Sequence, residues 1–209
     1  MFPGEILDPL NADELRAQLR CAVIGKEIIA LEQTSSTNDA ILQLVATNPK
    51  EGLVLFAEHQ TAGRGQRGNR WESAPGKGLW FSILLHPKIE INDSWRLTIW
   101  AIEAISDVIR TEFSLEPAIK LPNDIQIHGR KVAGVLVEMR AQEKAPHLAI
   151  VGIGINVNQS LEHFPSDLRD RAISLAAALG QQVDRQKFAV ALLRNLDRTY
   201  RAHFAPADS

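Results

Sequence analysis

The chain has 209 residues, 45% hydrophobic and 23% charged, with net charge −2. That is enough for one domain with a sizeable core, and it lacks the basic excess that draws a protein to nucleic acid in bulk. A lone Cys21 and six scattered histidines exclude an internal disulfide and a thiolate zinc cluster and fit a reducing compartment.

No run approaches the roughly 18 apolar residues of a membrane span, and the first residues lack a signal peptide's basic start and apolar block. The expectation is a cytoplasmic protein with no membrane partner. In chain order, Leu10-Asn11-Ala12-Asp13-Glu14-Leu15 reads as a helix start, with Asn11 as cap, Glu14 closing a capping box and Leu10 stapled to Leu15. Ser36-Thr37-Asn38-Asp39 opens a second, short amphipathic helix through Ile41, Leu42 and Val45, which stops before Pro49. Leu53 to Glu58 and Leu79 to Leu85 read as buried strands. The longest helix is expected from about Ser94 to Glu112, with Trp95, Ile99, Ile102, Ile105 and Ile109 on one face.

Ile125 to Ile127 and Val132 to Met139 form a hairpin through His128-Gly129. A looser connection around Glu143 to Pro146 leads to a strand over Leu148 to Val157. Helices near Ile173 to Leu179, with Gly180 as a stop, and Arg185 to Phe204 close the chain. Three strands joined in sequence by short turns indicate a meander, so the pattern predicts an α+β fold with a largely antiparallel sheet.

Between the two buried strands lies Gln60-Thr61-Ala62-Gly63-Arg64-Gly65-Gln66-Arg67-Gly68-Asn69-Arg70-Trp71. Glycines let backbone approach a ligand closely, arginines offer planar charged forks for phosphate or carboxylate, and Trp71 offers a face for stacking. The segment Gly63-Arg64-Gly65-Gln66-Arg67-Gly68 formally fits a dinucleotide fingerprint. That fingerprint needs a helix immediately after it, and Asn69 to Gly78, with Pro75 and two glycines, has no helical periodicity. A nicotinamide or flavin site is therefore disfavoured. A solvated glycine-rich loop would explain the glycines but not the arginines and the tryptophan.

Lys120-Leu121-Pro122-Asn123-Asp124 is a stiff segment. Its lysine could neutralise an α-phosphate and its carboxylate could help hold magnesium; taken alone, a turn with a surface lysine explains it better. In Gly152-Ile153-Gly154-Ile155-Asn156-Val157-Asn158, period two puts the glycines and asparagines on one strand face, the mark of a close ligand or of tight packing. Ser35 to Asn38 is by default a helix cap, and the free N–H groups of that helix start would also suit a polar ligand. Trp80 reads as core.

In order and spacing, these segments closely resemble the biotin protein ligase family. They run Ser-Thr-Asn from Ser36, the glycine-arginine loop, Trp-Glu-Ser-Ala-Pro-Gly from Trp71, Lys120 to Asp124, Gly-Arg-Lys-Val-Ala-Gly-Val-Leu-Val-Glu from Gly129, and Gly152 to Asn158. The resemblance covers roughly Ile28 to Tyr200. It implies a class II aminoacyl-tRNA synthetase-like catalytic domain that condenses biotin with ATP, using Mg2+, to biotinyl-5′-AMP. Biotin then passes to one lysine of the biotin carboxyl carrier domain of acetyl-CoA carboxylase.

By position, Ser36, Thr37, Asn38, Gln60, Gly63, Arg64, Gly65, Gln66 and Lys120 would bind biotin, with Gly134, Leu136, Gly152 and Gly154 presenting backbone to its ureido ring. Arg67, Arg70, Trp71, Asn123, Lys131 and Asn156 would hold ATP and the adenylate, Trp71 by stacking on adenine. Lys120 and Arg64 would be catalytic, and Asp124 would hold the metal. Joining two anions meets Coulomb repulsion that Arg64, Arg67, Lys120 and magnesium would offset.

Many relatives carry arginine where this chain has Gln66, and Arg67 beside it would supply that charge. Many also add an N-terminal winged-helix domain and a C-terminal β-barrel domain. The expectation here is a catalytic domain alone, monomer or homodimer, without sequence-specific DNA binding. A lipoate or octanoate ligase shares the architecture, and a biotin-binding module without catalysis is a second alternative. The loop and the Lys120 segment favour biotin, and the retained Arg64, Lys120, Asp124 and Asn156 favour an enzyme.

Overall fold

The computed structural model describes residues 8–45, 50–142 and 146–204. Its first helix, α1 (Ala12–Gln18), is capped by Asn11, whose side chain accepts from the Asp13 and Glu14 amides. The expected capping box does not close in full. The Asn11 amide donates to Gln186 Oε1 instead of to Glu14, so a tertiary contact takes the place of the local one.

A seven-stranded mixed sheet follows, built from β1 (Ile28–Thr34), β2 (Val54–Gln60), β3 (Gly78–Leu85), β4 (Ala118–Lys120), β5 (Asp124–Ile127), β6 (Arg130–Arg140) and β7 (Leu148–Asn156). The spatial order is β1-β2-β3-β7-β6-β5-β4. Only β1 and β2 pair in parallel. They are linked through α2 (Thr37–Leu44), which crosses over the sheet as a parallel connection requires. Sequence periodicity gave no sign of β1. It lies at an edge and is half-buried along most of its length, so neither face writes a clean alternation.

The meander of β5, β6 and β7 agrees with expectation, and the short edge strand β4, which was not expected, extends it. The turn between β5 and β6 places His128 at φ 51° and Gly129 at φ 73°, the paired positive values of a two-residue hairpin turn. Part of the expected loop near Glu143 lies outside the described residues.

On one face of the sheet, Leu79, Phe81, Ile83 and Leu85 of β3 pack with Val151, Ile153 and Ile155 of β7. The helices α3 (Trp95–Phe113) and α5 (Arg185–Phe204) cover them. The apolar stripe of α3 is confirmed with one correction. Trp95 is 60% exposed because the helix begins beyond the edge of the core, while Leu97 and Trp100 take the buried positions.

On the other face, Ile41 of α2 packs with Leu53, Leu55, Leu84, Leu148 and Ile150. This smaller cluster covers only part of that face. The short α4 (Leu175–Leu179) ends at Gly180, φ 73°. Asn158, expected on the strand face, lies past the end of β7 and exchanges two hydrogen bonds with the Val183 backbone.

Candidate active site

Where α2 stops covering the sheet, an open cleft remains. One wall is the start of α2. Thr37 donates its amide to Gln60 Oε1 at 2.9 Å and lies 3.2 Å from the same oxygen through its hydroxyl. Gln60 thus takes up a free amide of the first helical turn, and Ser36 makes no side-chain cap bond. With Oε1 occupied, the amide nitrogen of Gln60 is the group left to donate toward the cleft.

Asn38 is oriented from both ends. Its nitrogen donates to Glu138 Oε2 at 2.6 Å, and Ser82 Oγ lies 2.6 Å from its oxygen. Because that oxygen can only accept, Ser82 donates to it. The 2.7 Å Ser82–Thr37 contact then uses the Thr37 proton, which Ser82 and Gln60 share.

The floor is glycine. Gly134 and Gly154 face each other across β6 and β7, with Gly152 two residues along. A Cβ at Gly152 would lie 2.4 Å from Asn38 Oδ1, and one at Gly154 would lie 2.5 Å from the Trp71 ring. Period two did mark a face of close approach. What approaches is the protein's own Asn38 and Trp71. The indole is packed onto the floor at an edge angle to Trp80, and its N–H is buried without a partner among the described residues.

The glycine-arginine segment is a closed loop. Trp71 N donates to Gly63 O, Gly65 N donates to Asn69 O, and Arg64 bridges to Arg70. At Gly63 a side chain would meet the Trp71 carbonyl at 2.6 Å. Arg67 takes the left-handed region, φ 58°, at the exposed tip. Arg64 turns inward, and its Nη2 is 2.8 Å from both Asp39 and Glu138.

The expected residues divide clearly. Ser36, Thr37, Asn38, Gln60, Arg64, Gly65, Trp71, Asn123, Lys131, Gly134, Leu136, Gly152 and Gly154 all line the cleft. Gly63, Gln66, Arg67, Arg70, Lys120, Asp124 and Asn156 do not. Arg70 pairs with Glu72 at 3.0 Å. Lys120 is exposed on the edge strand β4 and makes no ion pair among the described residues.

Lys131, expected to hold the adenylate, lines the cleft. Its ammonium is 2.6 Å from Asp124 and 5.1 Å from the centre of the Trp71 ring. That pairing also changes the reading of Asp124, whose carboxylate is engaged by an internal cation. The described residues hold no group of three metal-binding side chains. Asn156 is a clamp: its nitrogen donates to Ile173 O at 3.2 Å and lies 3.4 Å from Lys131 O, and its oxygen accepts from Gln159.

Sequence reasoning missed Glu138 and Ser82. Glu138 continues the alternation of Gly134 and Leu136 on β6, and Ser82 is the one polar side chain in the apolar run Leu79 to Leu85. Both signals were present.

Comparison with known proteins agrees with this geometry. Residues 30–156 match the model of the biotin/lipoate A/B protein ligase family. The bifunctional ligase/repressor BirA of Bacillus spizizenii is 38% identical over 92% of this chain and 59% of its own. The biotin--[acetyl-CoA-carboxylase] ligase of Mycobacterium tuberculosis is 33% identical over 90% of this chain and 70% of its own. Among solved structures, the biotin protein ligase from Aquifex aeolicus in complex with biotin and ATP superposes with a TM-score of 0.73 at 32% identity. It covers 87% of this chain and 73% of that one. The chain therefore spans under two thirds of the BirA relative's length, and over the span that carries this cleft it belongs to the biotin/lipoate A/B protein ligase family.

Proposed function

We propose that the chain is an ATP-dependent biotin ligase: it activates biotin as biotinyl-5′-AMP and transfers the biotinyl group to a lysine of a biotin carboxyl carrier domain. The observation that carries this reading is the cleft itself. A glycine floor, an amide donor at Gln60 and two inward cations, Arg64 and Lys131, converge on one space. Biotin suits such a space, being apolar apart from a ureido edge and a carboxylate. The relatives and neighbours named above, with their ligase activity and their biotin and ATP complexes, support the same reading.

In the first step a biotin carboxylate oxygen bonds to the α-phosphorus of ATP and pyrophosphate leaves. Two anions must meet, and Lys131 and Arg64 are placed to stabilise the charge that develops. Gln60 and the backbone of the glycine strip would hold the ureido edge. In the second step the carrier lysine amine attacks the acyl carbon and AMP leaves with the bonding pair. A closed loop above the adenylate would keep water from competing. ATP arrives with its own magnesium. Asp124 is occupied by Lys131, so no step is assigned to a protein-held metal.

The test is mass spectrometry of a carrier domain incubated with the chain, ATP, magnesium and biotin. One added biotinyl group per carrier is expected. Modification with lipoate or octanoate and none with biotin would replace this reading with that of the sister ligases.

A further inference from the structure

The motif that ends in Glu138 contributes a residue whose role is so far unexplained. On β6, Glu138 follows Gly134 and Leu136 at period two, on the strand face that looks into the cleft. Its Oε2 accepts from Asn38 at 2.6 Å and from Arg64 at 2.8 Å. Asp39 Oδ1 approaches the same Arg64 nitrogen, Nη2, at 2.8 Å. One corner of the guanidinium is therefore held by two carboxylates from two different elements. Its Nε and Nη1 have no partner among the described residues, and Arg64 lines the cleft.

We infer that Glu138, with Asp39, is the positioning residue for Arg64: the two carboxylates hold the guanidinium by one nitrogen so that the other two present their N–H groups to a carboxylate or phosphate oxygen in the cleft. A long arginine side chain left free would lose rotamer entropy each time it captured a ligand. Anchored this way it has already lost it, which is how preorganisation raises affinity. The same anchor ties the base of the 63–71 loop to β6 and α2, and Asn38 shares the anchoring oxygen. One carboxylate thus sets both the helix-start wall and the loop. The three side chains are each more than a third exposed, so the effect is moderate, several-fold and not thousand-fold.

The experiment compares the wild type, Glu138→Gln, Arg64→Ala and the double variant of the full chain. Glutamine keeps an acceptor for Asn38 and removes only the charge. Amide hydrogen exchange without ligand reads the loop through the bonded amides of Gly65 and Trp71. Glu138→Gln should speed exchange across residues 63–71 about fivefold, as loss of one partly exposed charge pair allows. Protection in β3 and α3 should stay unchanged. In the Arg64→Ala background the second substitution should add nothing, because the pair acts as a unit.

A second arm rests on the ligase reading: in biotin-dependent pyrophosphate exchange, Glu138→Gln should raise KM with little change in kcat, and only where Arg64 is present. Loop exchange as slow as in the wild type, or additive effects in the double variant, would overturn the inference. Absence of pyrophosphate exchange in every protein, wild type included, would instead fail the ligase reading and leave the loop result to decide this one.

Discussion

Lys120 and Lys131 flank the same short strand, β5, and illustrate how two similar cations acquire different work. Lys131 lines the cleft, fixed by Asp124 and by the Trp71 ring; Lys120 shares the sheet face of Asp124, Gly134 and Gly154 by register but is exposed on the edge strand, outside the cleft lining. Lys131→Ala should therefore lower the rate of adenylate formation by about 10²-fold or more, the scale of losing one preorganised group at a developing charge. Lys120→Ala, at a position on the same face but exposed and outside the lining, should lose less than Lys131→Ala. Pyrophosphate exchange distinguishes the two, and the reverse ranking would return the catalytic role to Lys120.

The floor glycines give a graded series. At Gly152 a methyl would meet Asn38 Oδ1 at 2.4 Å, and Asn38 is pinned by Ser82 and Glu138. At Gly134 the closest atoms are the Lys131 Cε at 3.0 Å and the Trp71 ring at 3.1 Å, looser than the contact at Gly152. Gly152→Ala should raise KM for biotin roughly 10- to 100-fold through displaced geometry, and Gly134→Ala by much less. Titration of the purified variants with biotin checks that order.

At the scale of elements, what could be read from the sequence depended on whether an element's information is local. The β5–β6 turn, the stop at Gly180 and the span of α5 are written in adjacent residues, and the sequence located all three. β1 was missed because its order comes from pairing with β2, a contact of high sequence separation. The cleft was largely legible because its glycines and polar residues cluster in a few motifs. The pairing of Lys131 with Asp124 was not, since a bulge between Ile125 and Gln126 turns Lys131 onto the face that Asp124 and Gly134 share.

Helix α5 shows local information and pH acting together. The Asp184 side chain accepts from the Lys187 amide at 3.0 Å. That backbone bond, ahead of a small opposing desolvation, holds its carboxyl below the usual value. A depressed carboxyl stabilises the fold above its unfolded pKa, near 3.9, and the contribution fades as pH falls through the lower folded value. Asp184→Ala should cost about 1 kcal/mol at neutral pH, as loss of a helix-start acceptor does. The difference from wild type should shrink in urea melts run progressively below pH 4. A gap that stays constant with pH would assign the cost to propensity alone.

Across the whole molecule, one buried ion pair joins regions that are far apart in sequence. Arg185, 1% exposed, donates to Glu58 at 2.6 Å and to Gly78 O at 3.2 Å. It also reaches the Asp8 carbonyl, while Glu58 accepts the Leu10 amide at 2.6 Å. The start of the chain, β2, β3 and α5 thus meet at two side chains on the helix-covered face. A buried pair contributes little net stability against an apolar replacement when its neighbours need nothing from it. Here they do: the Leu10 N–H would lose its partner with Glu58, and the Gly78 and Asp8 carbonyls would lose theirs with Arg185.

Arg185→Met should therefore destabilise by roughly 3–5 kcal/mol by stranding the Glu58 charge. The double change Glu58→Leu with Arg185→Met should recover only part of that, leaving a deficit of about 1–3 kcal/mol for the orphaned backbone groups. Urea denaturation of the three proteins measures both numbers. A double variant as stable as wild type would mean that water satisfies those backbone groups and that the pair is dispensable to the fold.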